Sequence, residues 1–411
     1  MLIEKSWKII FLAVIILIGI VLILTTLPSI HTRFGRADLL GYWSAAFLLS
    51  QGENFSDDVL ILQTQNEITN SNRGFPIKSW NPPWLLTWLL PFTFVGFDSA
   101  ATLWLLSNFL LIFVSIVFVW RSYALPSISR RWFWLPILAA FIFPFTATAL
   151  VVGQVNSLVL FGLASFLYLY KNSNDFGAGV ALSLTMAKPQ LVYLTIPLIL
   201  MSSIRHRRWN IILGFSSFLL VSIFIVFVIR PTFLGEYIGS ISGGGLLNYL
   251  SPTAPVVLSV FFNFIWIRLI GFLLLPIAVW LWFRRGRNLD MGLLVDVSLL
   301  ASIITTPFLW SYDYIVLLIP LIRIWIWMID RVLSLAGTIA LAIVMMALYI
   351  FLYDMRILTP SEIYYAWFPV LIAAIYGWLW YRNNRIYEDI SNAPAIHGDF
   401  PAVADQIGAP E

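Results

Sequence analysis

Asp38 stands in the tripeptide Arg36-Ala37-Asp38, shortly after the first apolar stretch of a chain that is otherwise almost all hydrophobic. A carboxylate at the mouth of a bundle of membrane helices stays charged at little cost. It can still face an enclosed cavity, where it could take a proton from a hydroxyl. That makes Asp38 the first candidate for acid–base chemistry. Lys188 is the second, because it sits inside an apolar stretch, where an ammonium costs on the order of 2.5–3.5 kcal/mol to insert. Something should compensate it: a bound phosphate would serve, and so would a structural ion pair or a snorkelling side chain. Gln190, two residues on, either joins the same site or spends its amide on backbone groups.

Other polar residues interrupt the apolar pattern. Gly153-Gln154-Val155-Asn156 joins two apolar stretches tightly. The glycine permits the turn, while Gln154 and Asn156 offer donors and acceptors that suit a hydroxyl-rich ligand or a plain polar turn equally. Thr306-Pro307-Phe308-Leu309-Trp310-Ser311-Tyr312-Asp313-Tyr314 separates two further stretches. An interfacial aromatic belt accounts for Trp310 and Tyr312, but Asp313 needs another reason. Arg268, about midway along its stretch, could bind a phosphate, form an ion pair or snorkel. Arg323 lies nearer the inner end and is expected to snorkel. The Asp57-Asp58 doublet, beside Asn54 and Ser56, reads as helix capping rather than metal binding.

Several chemistries lose support at once. The chain has no Cys and only three His, scattered at His31, His206 and His397, so no metal centre is expected and thiol chemistry is excluded. No Walker A sequence, Gly-rich dinucleotide loop or Ser-His-Asp arrangement is apparent, and no cofactor is expected.

The elements that must position these residues are membrane helices. With 60% hydrophobic, 16% aromatic and 11% charged residues among 411, and a mean hydropathy of +0.89, the chain has far too much apolar surface for a water-soluble core. It reads as an all-α polytopic membrane protein. The net charge of +4 lies in short loops between apolar stretches, so it reports topology and not a nucleic-acid partner. A first span over 7–28 lacks a small-residue cleavage site and reads as a retained signal anchor with its N-terminus inside. Further spans are expected at 99–120, 132–150, 155–170, 209–229, 256–283, 292–309, 314–329, 332–353 and 364–381, giving about ten full spans. Lys and Arg are concentrated in the loops this scheme puts inside, at Arg130-Arg131, Arg205 to Arg208, Arg284-Arg285 and Arg382 among others.

Residues 176–204 break the alternation. Lys171 before them and Arg205-His206-Arg207-Arg208 after them both belong inside, so two short helices meeting near Lys188-Pro189 should enter and leave on the same side. Proline there breaks a continuous helix, and the freed backbone must be buried in protein or line a wet cavity. Residues 29–98 form an outer loop with two interfacial helices, over Leu39–Leu49 and from Val59, before Trp80-Asn81-Pro82-Pro83-Trp84 turns the chain back. Residues 1–382 are then one transmembrane domain, and 383–411, with Pro394, Pro401 and Pro410, a disordered cytoplasmic tail.

The order of these motifs resembles glycosyltransferase family 87. The likeness runs through Asp38, Tyr42, Ala45-Ala46 and Gly52, then Asn81-Pro82-Pro83 and Pro91, then Trp104 and Asn108. It continues through Gly153-Gln154-Val155-Asn156, Ala178-Gly179, Lys188-Pro189-Gln190, Thr306-Pro307 and Asp313-Tyr314. The chain departs from the family's pattern where Glu53-Asn54-Phe55-Ser56-Asp57 replaces Asn-Pro-Tyr-Asp, and where no histidine flanks Tyr312-Asp313. The resemblance implies a GT-C-like helical bundle and a mannosyltransferase-like enzyme that takes its sugar from a polyprenyl-phosphate donor. It assigns the catalytic aspartate to Asp38. An inverting transfer of a hexose to a lipid or glycan acceptor follows, at the outer face of a bacterial plasma membrane. Lys188, Gln190, Gln154, Asn156, Arg268, Tyr312, Asp313 and Asn81 are the candidate donor- and acceptor-binding residues, with membrane lipids around them. A flippase or transporter for a lipid-linked sugar is the alternative, since broken helices and intramembrane charges serve transport as well. A ligase-type enzyme would carry its main polar loop late in the chain, whereas here it comes first.

Overall fold

The computed structural model describes residues 35–124, 132–243, 248–286, 289–330, 332–359 and 361–392. The expected span at 7–28 lies outside them. The described residues form helices joined by turns and loops, with no strand among them. Helix α1 (Ala37–Ser50) buries Leu39, Leu40, Tyr42, Trp43, Ala45, Ala46, Leu48 and Leu49, so protein encloses it on most sides. Helix α2 (Asp58–Thr69) is capped by Asp57, whose Oδ1 accepts from the amides of Val59 at 2.8 Å and Leu60 at 3.1 Å. Asp58 pairs with Lys78 at 2.5 Å. The acidic doublet is therefore a cap and an ion pair.

Helix α3 (Trp84–Leu89) begins directly after Pro82-Pro83, where a missing amide proton costs nothing. Helix α4 (Phe97–Tyr123) has 27 residues and is long enough to cross a bilayer. The single span expected over 132–150 is instead two helices, α5 (Trp134–Phe141) and α6 (Pro144–Val152), bent by 57°. Pro144 holds Phe143 in extended backbone, with ψ 124, and the helix cannot run through it.

Helices α7 (Asn156–Lys171), α8 (Asp175–Ser183), α9 (Thr195–Arg205) and α10 (Trp209–Ile229) follow. Between α8 and α9 the chain passes through 3-10 turns at Leu184–Ala187 and Pro189–Leu191, with Lys188 between them at φ −141 and ψ 76. The two ends of this broken pair meet. Arg208, just past α9, bonds Asp175 at the start of α8 at 2.5 Å and donates to the Tyr170 carbonyl at 3.1 Å. Beside them, the Lys171 ammonium donates to the carbonyls of Arg121 and Ser122 at the end of α4. Helix α8 lies directly on α10: a Cβ on Gly179 would come within 2.0 Å of the Ile211 carbonyl oxygen. The pair thus enters and leaves at one end of the bundle. Because the chain has no native Cys, Lys171→Cys and Arg207→Cys should both react with an impermeant maleimide from one side of the membrane, and Lys78→Cys from the other. Labelling of positions 171 and 207 from opposite sides would refute the same-side pair.

The remaining helices are α11 (Phe233–Gly243), α12 (Ala254–Phe261), α13 (Leu274–Leu281), α14 (Met291–Thr305), α15 (Leu318–Ile329), α16 (Leu335–Leu358) and α17 (Trp367–Asn392). The expected span at 256–283 is interrupted after α12, where Asn263 takes φ 50, and continues through 3-10 turns at Ile265–Leu273 into α13. Among the described residues six helices are long and apolar enough to cross a membrane, or seven if the bent α5–α6 pair is one span. The expected count of about ten is not reached by length. Helices α7 and α14 have only 16 and 15 residues and are largely enclosed by other helices. Helix α17 runs past the expected boundary at 382 to Asn392, and the rest of the expected tail lies outside the described residues.

Arg323 does not snorkel. Its NH1 is 2.9 Å from Asp296 Oδ2, and its NH2 is 3.2 Å from Asp290. Asp296, fully buried on α14, also accepts from Tyr123 on α4 at 2.9 Å and Tyr376 on α17 at 2.8 Å. A buried carboxylate with this many donors ties four helices together near the end where Arg208 meets Asp175. Toward the opposite end, Phe145 of α6 packs edge-on against Tyr314 at 5.0 Å, with Tyr365 and Phe368 behind. Tyr314 donates to the Pro252 carbonyl at 2.6 Å. These contacts fix the 3-10 segment Ser311–Leu317, which carries Tyr312 and Asp313.

Candidate active site

Asp38 and Tyr42 are one helical turn apart on α1, so both side chains leave the same face. That face meets the turn between α6 and α7. There Gly153 takes φ +76, and a Cβ on it would come 2.3 Å from the Gly35 carbonyl oxygen, so no other residue lets the start of α1 lie this close. The Gly35 amide donates to the Val151 carbonyl at 2.8 Å, closing the contact. On the other side of the turn, Trp104 and Asn108, also one turn apart on α4, grip it: Trp104 Nε1 donates to the Gly153 carbonyl at 3.0 Å, and Asn108 Oδ1 accepts from Ser157. Arg36 pairs with Asp98 at 2.8 Å and anchors the start of α1 to α4.

This scaffold presents Gln154. Its Nε2 donates to Asp38 Oδ2, while its Oε1 accepts from the Tyr42 hydroxyl at 2.9 Å and the Lys188 ammonium at 2.8 Å. Lys188 also binds Asp313 Oδ1 at 2.6 Å and lies 5.1 Å from the centre of the Tyr312 ring. Lys188 and Asp313 are 4% and 1% exposed, so the ion pair is largely enclosed by protein and the anion that Lys188 requires is supplied by the protein. Asp313 Oδ2 in turn caps its own 3-10 segment by accepting from the Trp310 amide at 3.0 Å. Asn156 donates to the Tyr312 carbonyl at 2.6 Å and reaches Asp313 Oδ1 at 3.5 Å.

A cavity of about 530 Å³ opens over this cluster. Asp38, Tyr42, Gln154, Lys188, Gln190, Asn81 and Tyr312 line it, with Lys78, Trp80, Tyr249, Ser251 and Trp310 on the remaining walls. The volume suits a sugar-sized ligand. Asn81 carries a second load: its Nδ2 donates to the Ala187 carbonyl at 2.9 Å, as Trp84 Nε1 does to that of Met186, so the Pro-Pro turn holds the backbone just before Lys188.

Three of the expected site residues stand off the cavity wall: Asp313, enclosed in its ion pair with Lys188, Arg268 and Asn156. Arg268 lies behind the wall, its Nε donating to Ser259 at 3.0 Å and its NH1 to the Tyr249 carbonyl at 2.7 Å, so it supports a lining residue and does not reach the cavity. Asn156 is fully buried beneath the Tyr312–Asp313 segment and is not on the wall. Sequence reasoning did not assign the grips of Trp104 and Asn108, although their one-turn spacing is a usable signal. Lys78, Tyr249 and Ser251 reach the wall from distant loops, and nothing local marks them.

The electrostatics set Asp38 apart. Burial pushes its carboxyl above the ordinary aspartate range; the Gln154 hydrogen bond and the Lys188 charge pull the other way, and the Asp313 charge adds to the rise. A carboxylate with a raised proton affinity, on a cavity wall, is a competent proton acceptor. Burial pushes the Tyr42 phenol well up, so it stays protonated and serves as a donor. Among the described residues no cluster of His, Cys, Asp and Glu could hold a metal ion.

No curated protein and no solved structure matches the chain. A family model does: glycosyltransferase family 87 matches residues 80–311, more than half the chain. The matched region contains the Pro-Pro turn, the Gly153–Asn156 turn and the broken pair around Lys188, while Asp38 before it and the Tyr312–Asp313 segment just after it complete the site from outside the match. With its apolar helices and this match, the chain belongs to glycosyltransferase family 87 and is a membrane glycosyltransferase.

Proposed function

We propose that the protein transfers a hexose, mannose being the first to test, from a polyprenyl-phosphate carrier to a hydroxyl of a lipid or glycan acceptor, with inversion. The reaction takes place on the outer face of a bacterial plasma membrane, in a GT-C-like bundle. The observation that carries this reading is the half-buried Asp38 carboxylate on the wall of a sugar-sized cavity, within the same hydrogen-bond cluster as the Lys188 ammonium. Asp38 takes the proton of the acceptor hydroxyl as its oxygen bonds to the anomeric carbon. The bond from that carbon to the phosphate oxygen breaks, and polyprenyl phosphate leaves with the electron pair. Lys188 has three N–H donors, of which Gln154 and Asp313 take two. The third serves the departing phosphate, where an oriented charge in a dry site is most effective. The aromatic walls formed by Tyr249, Trp310 and Tyr312 suit the apolar faces of sugar rings.

Family membership favours an enzyme over the transporter alternative, and the proposal names its products. Purified protein incubated with undecaprenyl-phosphate mannose, glucose or galactose and a membrane lipid and glycan pool should give an acceptor heavier by one hexose, together with free undecaprenyl phosphate. Mass spectrometry reads both. Absence of a hexosylated product with all three donors, while a nucleotide sugar is accepted, overturns the polyprenyl-phosphate donor.

A further inference from the structure

The amide of Gln154 is held between groups of opposite charge, and this fixes which way it points. Its Nε2 faces the Asp38 carboxylate, and its Oε1 faces the Lys188 ammonium and the Tyr42 hydroxyl. Rotating the amide by half a turn would set its oxygen against a carboxylate and its NH₂ against an ammonium, so the alternative orientation is excluded by electrostatics. Gln154 is 2% exposed, and both lone pairs of its oxygen are occupied by protein. We infer that Gln154 is a positioning residue and not a sugar ligand: it couples the Lys188–Asp313 ion pair to Asp38 and holds the Asp38 carboxylate ionised and aimed for proton transfer. This rests on Asp38 acting as the base in the proposed reaction.

The physical consequence is a defined direction. A hydrogen bond donated to the ionised form lowers a carboxyl's proton affinity, and Gln154 opposes the rise that burial imposes on Asp38. The other titratable and charged groups facing Asp38 are Tyr42 on α1, Lys188 from the broken pair, and Tyr312 and Asp313 from the 3-10 segment before α15. Arg36 is engaged with Asp98, and Lys78 on the cavity wall is engaged with Asp58. Removing the Gln154 donor leaves these in place and shifts Asp38 upward.

The test is a pH titration of the purified full-length protein by infrared difference spectroscopy, in which the Asp38 carboxyl band is identified as the one missing in Asp38→Asn. Gln154→Met keeps the length of the side chain and removes its polar atoms. Its Asp38 midpoint should rise by about one pH unit, the scale of a lost hydrogen bond to a charged group. The acid limb of kcat/KM with undecaprenyl-phosphate mannose should rise equally, with KM unchanged. Tyr42→Phe, which removes a single hydroxyl, should move both in the same direction by less, and it keeps the test available if the Met variant fails to fold. An unmoved midpoint in a folded variant overturns the inference, and a raised KM with an unmoved limb makes Gln154 a ligand. Normal turnover by Asp38→Asn instead removes the base assignment alone, since the infrared midpoint still reports the Gln154–Asp38 contact.

Discussion

Asp38→Asn should leave the protein folded and remove nearly all transfer, with kcat/KM falling by about 10²–10⁴-fold, the usual worth of a positioned general base. The substitution is close to isosteric, and the amide oxygen can still accept the hydrogen bond from Gln154 Nε2 that Asp38 accepts. Helix α1 keeps its apolar packing around Leu39, Leu40 and Trp43, so thermal stability should change little. What disappears is the capacity to take a proton. Initial rates with a verified donor, alongside a melting curve, separate loss of chemistry from loss of fold. A variant that turns over near the parent rate would remove Asp38 from the reaction. The site's other carboxylate, the fully buried Asp313, is a poorer candidate because Lys188, Asn156 and the Trp310 amide already occupy it.

The placement of Asp38 shows what was legible in the sequence. An ionisable residue just after an apolar stretch is visible by composition alone, and so is the demand of Lys188 for an anion. The break at Lys188-Pro189 followed from loop charges and proline, and the Arg208–Asp175 contact brings the two ends of the pair together, while labelling tests whether they share one side of the membrane. The identity of the anion was not legible. Asp313 lies 125 residues away in sequence, and a sequence states only that each charge needs a partner, never which one. For the same reason Arg268 passed for a ligand candidate: an arginine within an apolar stretch looks the same whether its guanidinium faces a cavity or a carbonyl behind the wall. The count of spans is a different case. Hydrophobic runs give the length of an apolar stretch, but Pro144 bends the run over 132–150 without changing its composition, the helices Asn156–Lys171 and Met291–Thr305 come out at 16 and 15 residues, and the expected span at 7–28 lies outside the described residues. Helix α1 was expected to lie on the membrane. It is wrapped by protein because its apolar residues surround it and do not form one stripe.

The Lys188–Asp313 pair gives the other large expectation, this time in stability. Lys188→Gln should fold poorly, losing about 3–5 kcal/mol, because it strands the Asp313 carboxylate at 1% exposure without its countercharge. A thermal-shift or denaturant titration in detergent reads that loss directly. The double variant Lys188→Gln/Asp313→Asn removes both charges and should regain most of it, since two amides can hydrogen-bond where the ions did and the desolvation cost of each charge is gone. Recovery in the double variant also isolates the proposed role at the phosphate. With the fold restored but no ammonium in the cavity, binding of undecaprenyl phosphate should be weakened relative to the parent, and transfer slowed further than binding is weakened, because charge on the leaving phosphate grows in the transition state. Lys188→Arg should recover only part of either property, as a planar fork does not reproduce a compact ammonium that must reach Gln154 and Asp313 at once. A double variant as stable as the parent that binds and transfers normally would leave Lys188 with a structural role alone. A single variant as stable as the parent would mean that Asp313 does not depend on Lys188 for its charge balance, and the ion pair would cease to explain why a lysine sits so deep.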